Sequence, residues 1–407
     1  MNWWVAAPLI AVVGAELALW GMIRAWRPRF QWLTTRADEA PSIDNDLIEK
    51  HRAHGFDPEL GWIRKPGDSG VDQTADGEKT YTIDAFGRRL NPGYESAPSR
   101  IAVFGDSYAF CRLVSDEETW PHLLSHRLKT NVLNFGVGNY GLDQALLRFE
   151  RESLQLEAQV IIMAVVPETI ARIHSYWKHY FEYGNTLAFK PRFTLEDGEL
   201  RLHRSLIGDP ADYKVYRQQL AEIQRLDPFY RSKFLRDLLV FPVLPRVLLR
   251  AKRHGRILLY LAAGAICRRW ESGWRKAFGV VLQENARFAV RLYRDRKACD
   301  LLRATILRFV QNCEETNRQG VVVIIPQPMN LQRRQSEGKD YQEFFRSFGD
   351  CLPIIDMTEA IRKSGDWRGL FVDGPLGPHL NAKGNRLVAE TVAPRLEGLF
   401  KQLTSSG

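Results

Sequence analysis

The sequence predicts an α/β domain on a five-stranded parallel sheet, carried behind a membrane anchor. Three observations carry this. Short β-branched apolar runs recur at 101–104, 132–135, 160–166, 321–326 and 353–357, each closed by a loop, and the best marked lead into stretches of helical period. Strands that alternate with helices wind into a parallel sheet through right-handed crossovers, and the order 2-1-3-4-5 fits them. The third observation is residues 3–23, apolar except for Glu16.

The 407 residues, 45% apolar and 26% charged, suit one α/β domain with additions better than three independent domains. About twenty apolar residues cross a bilayer, and this run exceeds a signal-peptide core and has no basic residue before it. Residues 1–30 therefore read as a retained single-pass anchor in a bacterial inner membrane. Trp3, Trp4, Trp20 and Trp26 serve as interfacial aromatics, and Glu16 is the costly exception in lipid. Arg24, Arg27, Arg29 and Arg36 follow the span, which by the positive-inside rule places the body in the cytoplasm, with the periplasm as the alternative. Five scattered cysteines with no CxxC pair form neither a disulfide framework nor a metal site, and no cofactor is implied. Cys111 reads as a packed thiol.

Residues 31–99 begin as a polar linker around Pro41. Segments 56–62 and 81–89 then read as short strands, with turns at Pro66-Gly67 and Asp76-Gly77. Arg88 and Arg89 read as a solvated pair. The run 101–104 stops at Gly105-Asp106-Ser107, which puts a serine hydroxyl at the sheet edge where open α/β sheets bind ligands. Gly105 permits the tight turn, and free N–H groups there suit an oxyanion. A helix is predicted over 119–128. The run 132–135 ends in Gly136-Val137-Gly138-Asn139-Tyr140-Gly141, which parallel pairing brings to the same edge, and 143–156 is amphipathic. Near the C-terminus, Asp373 and His379 share a Gly/Pro-rich loop ahead of Asn381. They suit a base with an orienting carboxylate, and Asn381 suits a helix cap over 382–403. Ser107, His379 and Asp373 make the set that acyl transfer needs.

These residues resemble the SGNH (GDSL-type) hydrolases, as a divergent, membrane-anchored member. The likeness rests on Gly105-Asp106-Ser107, on Asn134-Phe135-Gly136 and on Asp373 with His379-Leu380-Asn381 and Gly384, and covers 100–170 and 320–407. It implies a flavodoxin-like three-layer α/β/α fold, with Ser107 as nucleophile, His379 as base and Asp373 as its partner. The oxyanion and substrate contacts fall to Asn139, Gly138, Glu168, Asp106 and Asn381. Two departures stand out. Asn139 takes the place of a glycine, although asparagine tolerates left-handed geometry. Glu168 follows the third strand where the family's asparagine belongs, and a carboxylate there repels an oxyanion. The Asp-to-His spacing is also wide, which leaves Asp356 as the alternative partner.

Residues 171–319 form a helical, basic insertion. Its opening stretch, with His174, Tyr176, Trp177, His179, Tyr180, Phe181 and Tyr183, reads either as a sugar-binding wall or as core. Between 231 and 297 there are 17 Lys/Arg against 4 Asp/Glu, so the net charge of +9 resides in this segment. Its apolar runs 238–249 and 257–266 are too short to span alone. Beside basic residues they suit an anionic membrane surface, or else a helical excursion with solvated arginines. No helix-turn-helix, RRM or zinc signature supports nucleic-acid binding. Two functions follow: an esterase or acyltransferase for O-acyl (acetyl) groups of a carbohydrate or lipid-linked glycan, with a lipid-directed esterase as its variant, or a degenerate domain serving as a binding or assembly subunit.

Overall fold

A computed structural model describes residues 3–27, 39–74, 76–332, 339–374 and 377–405, so Arg29 and Arg36 of the basic cluster lie outside the described residues. The chain divides into two compact units. One comprises Glu49–His174, Lys190–Pro210 and Ala289–Gly407, and the other Met1–Ile48, Ser175–Phe189 and Ala211–Phe288.

The first unit is built on β1 (Ser99–Gly105), β2 (Asn131–Asn134), β3 (Val160–Val165), β4 (Gln319–Ile324) and β5 (Ile354–Asp356). All four pairings are parallel, in the order β2-β1-β3-β4-β5, as the sequence predicts. Because side chains alternate across a strand, Ala102, Phe104, Ile161, Met163, Val322 and Ile324 face one way. There they meet α3 (Leu142–Glu152) and α5 (Arg296–Glu315). Ile101, Val103, Val160, Ile162, Val321 and Val323 face the other way, against α2 (Trp120–Leu128) and α6 (Ala382–Ser405). Two helical layers over one sheet bury both faces, and each fully covered Val or Ile contributes roughly 1.5–3 kcal/mol. Between β1 and α2 lies α1 (Ser107–Phe110), and after β3 comes α4 (Thr169–Arg172).

The preamble differs from its prediction. Its hairpin runs Ser69–Thr74 against Gly77–Thr82, so the predicted strand 81–89 holds only at Tyr81 and Thr82, and 83–89 is instead a bend bridged at Ile83 and Arg89. Period-2 polarity in such a short segment does not distinguish a strand from a bend whose ends pair. Arg89 is buried, not solvated, while Arg88 pairs with Asp84 at 2.6 Å. The insertion is also shared out: the hairpin Arg192–Glu196/Glu199–His203 and α5 belong to the sheet unit.

In the second unit, helix Trp3–Trp26 is long and apolar enough to cross a membrane. Ile23 packs with Leu239, Val243, Ile257, Leu261 and Val280. Glu16 is buried and accepts the backbone N–H groups of Val243 and, at 2.6 Å, of Leu244. The insertion's aromatics form a second core: Trp177 stacks on Phe189 at 4.7 Å and on His179 at 4.6 Å, and Tyr180 meets Phe234 at 4.9 Å. Tyr176, Trp177, His179, Tyr180 and Phe181 are at most 1% exposed, so these rings are core and not an open wall.

A β-carbon on Gly105 would lie 2.0 Å from the Ala164 carbonyl oxygen, whereas one on Gly138 meets nothing within 4 Å. Gly105→Ala is therefore expected to lower stability by about 1–3 kcal/mol or more through overpacking. Gly138→Ala should stay within about 0.5 kcal/mol of the parent. Denaturant unfolding of both variants checks the contrast.

Candidate active site

Everything at the site follows from how the turn after β1 is held. Asp106 ends the strand and caps α1, its Oδ1 accepting the Tyr108 N–H at 2.8 Å, while Oδ2 accepts the Val166 N–H at 3.3 Å. The next loop lies alongside: Phe135 N–H donates to the Val103 carbonyl at 2.8 Å and Val137 N–H to the Gly105 carbonyl at 3.0 Å. The Asn134 side chain donates to the Ala109 carbonyl at 2.9 Å. Gly136 allows this approach, since a β-carbon there would sit 2.2 Å from the Phe110 nitrogen. Asn139 adopts φ +69°, the left-handed geometry that asparagine tolerates.

Ser107 and His379, 272 residues apart, are brought together. His379 Nε2 lies 2.9 Å from Ser107 Oγ, and both residues are buried. His379 Nδ1 lies 3.0 Å from the Gly377 carbonyl oxygen, which accepts only if that nitrogen carries the proton. The tautomer so set leaves Nε2 as the acceptor for the serine proton. Burial lowers the imidazole pKa to about 4, with Arg112 and Arg172 acting in the same direction, so the ring is neutral at physiological pH. Asp373 is exposed. Asp356 is engaged with Thr358 at 2.9 Å and Gln342 at 2.8 Å.

The remaining predicted residues are placed as follows. Glu168 is held by Arg172 Nη2 at 3.0 Å, and Arg172 Nη1 reaches Asp106 at 3.1 Å and the Tyr140 carbonyl at 3.2 Å. The Gly138 carbonyl accepts from Trp62 Nε1 at 2.9 Å. Asn381 caps α6, its Oδ1 accepting the Gly384 N–H at 3.1 Å and its amide donating to the Gly369 carbonyl at 2.9 Å. The Cys111 thiol is buried and pushed up to about 12 by that burial, as a packed, inert thiol should be.

Several contributors were missed. Tyr108 stacks on His379 with ring centroids 5.0 Å apart and donates its hydroxyl to the Pro378 carbonyl at 2.7 Å. Burial pushes its phenol far above the ordinary range, so it stays a donor. Arg89 crosses from the preamble to donate to the carbonyls of Phe110 at 2.7 Å, Cys111 at 2.5 Å and Val114 at 2.6 Å, and to Asp116 at 2.8 Å. Asp72, on the hairpin, pairs with Arg112 at 3.2 Å and pulls the His379 pKa up against the arginines. Only Arg172 had a sequence signal, its i,i+4 spacing from Glu168.

Arg89→Met would leave Asp116 buried without its cation and remove the guanidinium donor from three carbonyls. Breaking such a pair costs about 3–5 kcal/mol. Chemical denaturation should register that loss, together with disorder of segment 110–116 in hydrogen exchange.

No family model matches this chain. A 133-residue stretch is 30% identical to ATP-dependent 6-phosphofructokinase 2 of Caenorhabditis elegans, covering 29% of this chain and 17% of that protein. Among solved structures, a G-D-S-L family protein of Desulfitobacterium hafniense is similar at 11% identity and TM-score 0.33, over 72% of this chain and 97% of that one. The esterase EstA of Pseudoalteromonas sp. is similar at 10% and 0.31, over 74% and 98%. An acetyl xylan esterase, AlAXEase, stands at 13% and 0.32, over 72% and 96%. With β1 in second place in the sheet, Ser107 in the turn after it and His379 in a short paired segment before the last helix, the sheet unit has an open parallel α/β fold.

Proposed function

We propose that the sheet unit is a serine-dependent ester hydrolase or acyltransferase with Ser107 as nucleophile and His379 as base. The observation that carries this is the 2.9 Å contact between Ser107 Oγ and a buried imidazole whose other nitrogen is fixed by the Gly377 carbonyl. Ser107 Oγ attacks the acyl carbon as its proton passes to Nε2. Collapse of the tetrahedral adduct expels the alcohol, which takes that proton back, and water or an acceptor hydroxyl then repeats the sequence on the acyl-serine. The N–H groups of Ser107 and Asn139 are the oxyanion donors in this reading. The guanidinium groups of Arg112 and Arg172, which lower the His379 pKa, also favour negative charge on the acyl oxygen.

A carbonyl stabilises an imidazolium less than a carboxylate does, because it carries only a dipole. Asp373 is exposed and the Gly377 carbonyl already takes Nδ1, so Asp373→Asn is expected to retain most activity, while Ser107→Ala and His379→Ala abolish it. The substrate class we favour is an O-acyl group on a carbohydrate or lipid-linked glycan. Glu168, standing where an amide donor belongs, favours a second reading in which the unit only binds such a ligand. Its pairing with Arg172 offsets the charge that would oppose catalysis.

A fluorophosphonate probe should label the parent and not Ser107→Ala, and hydrolysis of an aryl acetate should require His379. Since only neutral imidazole accepts the proton, kcat/KM should fall as pH drops through about 4 and not near 6.5. Ser107-independent labelling, or no labelling of the parent, would favour the binding-only reading.

Topology is proposed from Arg24 and Arg27, which follow the anchor: the body is cytoplasmic. A C-terminal alkaline phosphatase fusion should be inactive and a fluorescent-protein fusion bright. The reverse pattern would put the body outside.

A further inference from the structure

Helix Trp3–Trp26 has two unlike faces. Glu16, Leu19, Ile23 and Trp26, at helical spacing, turn toward helices of their own unit. Leu9, Ile10, Val13 and Leu17, between 52% and 67% exposed, face away. A helix apolar on both faces is either enclosed or surrounded by lipid. The same holds for helix Ala251–Ile266. It packs Ile257, Leu258 and Leu261 inward, yet its outward stripe at helical spacing is Leu259, Ala263 and Ile266, with Leu259 65% and Ile266 83% exposed. Leu248 and Leu249, at 67% and 84%, extend the apolar surface from the preceding helix Val243–Leu249.

Exposed charge on this surface is sparse and lies mostly near helix ends. Lys252, in the first turn of helix Ala251–Ile266, and Arg268 and Arg269, just beyond its last turn, are exposed, and Arg256 is half-buried. Other basic residues of the segment are used internally: Lys233, Arg250 and Arg253 surround Asp237. Helices Ala251–Ile266 and Trp270–Arg291 also pack through a glycine contact, where a β-carbon on Gly264 would lie 3.0 Å from Gly273 Cα. Such small-residue crossings are how helices associate where lipid removes the hydrophobic drive.

Glu16 couples this surface to the anchor. Its carboxylate accepts the first two N–H groups of helix Val243–Leu249, a capping position that also meets the positive end of the helix dipole. A carboxylate inside a span is costly in lipid, and this pairing satisfies it by drawing a second helix to the same depth. Helix Val243–Leu249 spans only about 10 Å, and the apolar part of the next helix about 15 Å, against a hydrocarbon core of about 30 Å. Neither can cross.

We propose that segment 241–269 is bedded in one leaflet of an anionic bilayer beside the anchor, latched by Glu16, with Lys252, Arg268 and Arg269 reaching lipid phosphates. Removing the anchor would also remove the latch, so the test needs the full chain. Leu249→Cys or Leu259→Cys, in protein whose Cys267, Cys299 and Cys351 are serine, is labelled with an environment-sensitive fluorophore. The protein is then reconstituted with doxyl-labelled lipid in phosphatidylglycerol–phosphatidylcholine vesicles or in phosphatidylcholine alone. Leu154→Cys, at a 94% exposed leucine of the sheet unit, is the reference. Labels at 249 and 259 should be quenched several-fold more than at 154, and more strongly in anionic vesicles. Adding Glu16→Leu should release quenching at 249 while the protein still resists carbonate extraction, and Glu16→Gln should keep part of it. Ser107→Ala should change none of this, which separates the membrane assignment from the catalytic one. Quenching at 249 and 259 no greater than at 154 would overturn the proposal, as would extraction of the parent by carbonate. Equal quenching in the two lipids would overturn the assignment to anionic lipid.

Discussion

The turn that carries Ser107 lies so close to its neighbours that side chains are excluded at two points. A β-carbon would fall 2.0 Å from the Ala164 oxygen at Gly105 and 2.2 Å from the Phe110 nitrogen at Gly136. These approaches let α1 sit against β3 and the second loop at once. From that position the Asn134 amide can hold the Ala109 carbonyl and Asp106 can reach across to Val166 and Arg172. Tyr108, one residue beyond Ser107, then stacks on His379 and holds Pro378. The serine–histidine contact thus follows from backbone packing around a turn.

The site is charged in its walls and neutral at its base. Arg172 is buried between Asp106 and Glu168, and Arg89 between Asp116 and three carbonyls. Taking ions out of water costs several kcal/mol each unless every polar atom finds a partner, which is why these arginines fork over several acceptors. His379 responds in the opposite way. Burial and two nearby guanidinium groups favour its uncharged form, the form a general base needs. The backbone carbonyl on Nδ1 selects the tautomer without adding charge.

The second unit solves a different problem. Its aromatic residues, Trp177 and Tyr180 among them, are enclosed in one cluster, whereas its leucines at 248, 249 and 259 are exposed. Burying rings and exposing aliphatics inverts what a water-facing surface favours. Glu16 has its two amide partners inside the same unit, so the polar group in the apolar helix Trp3–Trp26 is a structural fastening.

The sequence by itself determined the sheet. Runs of β-branched residues such as 321–324 can only be covered on both faces, which requires parallel strands and crossover helices, with Ser107 at the strand ends. It also determined His379 as the distant partner, because a histidine in a Gly/Pro-rich loop ahead of a closing helix returns to that same edge. It could not decide what orients the imidazole. Every residue has a carbonyl, so the Gly377 oxygen leaves no trace in composition or spacing. Nor could it decide that Arg89 is buried or that the insertion's rings are core. Both depend on contacts made across the fold, Arg89 with carbonyls 21 to 25 residues ahead and Trp177 with Tyr216. Local pattern reports which way a side chain can point, and only tertiary packing decides whether water or protein is waiting there.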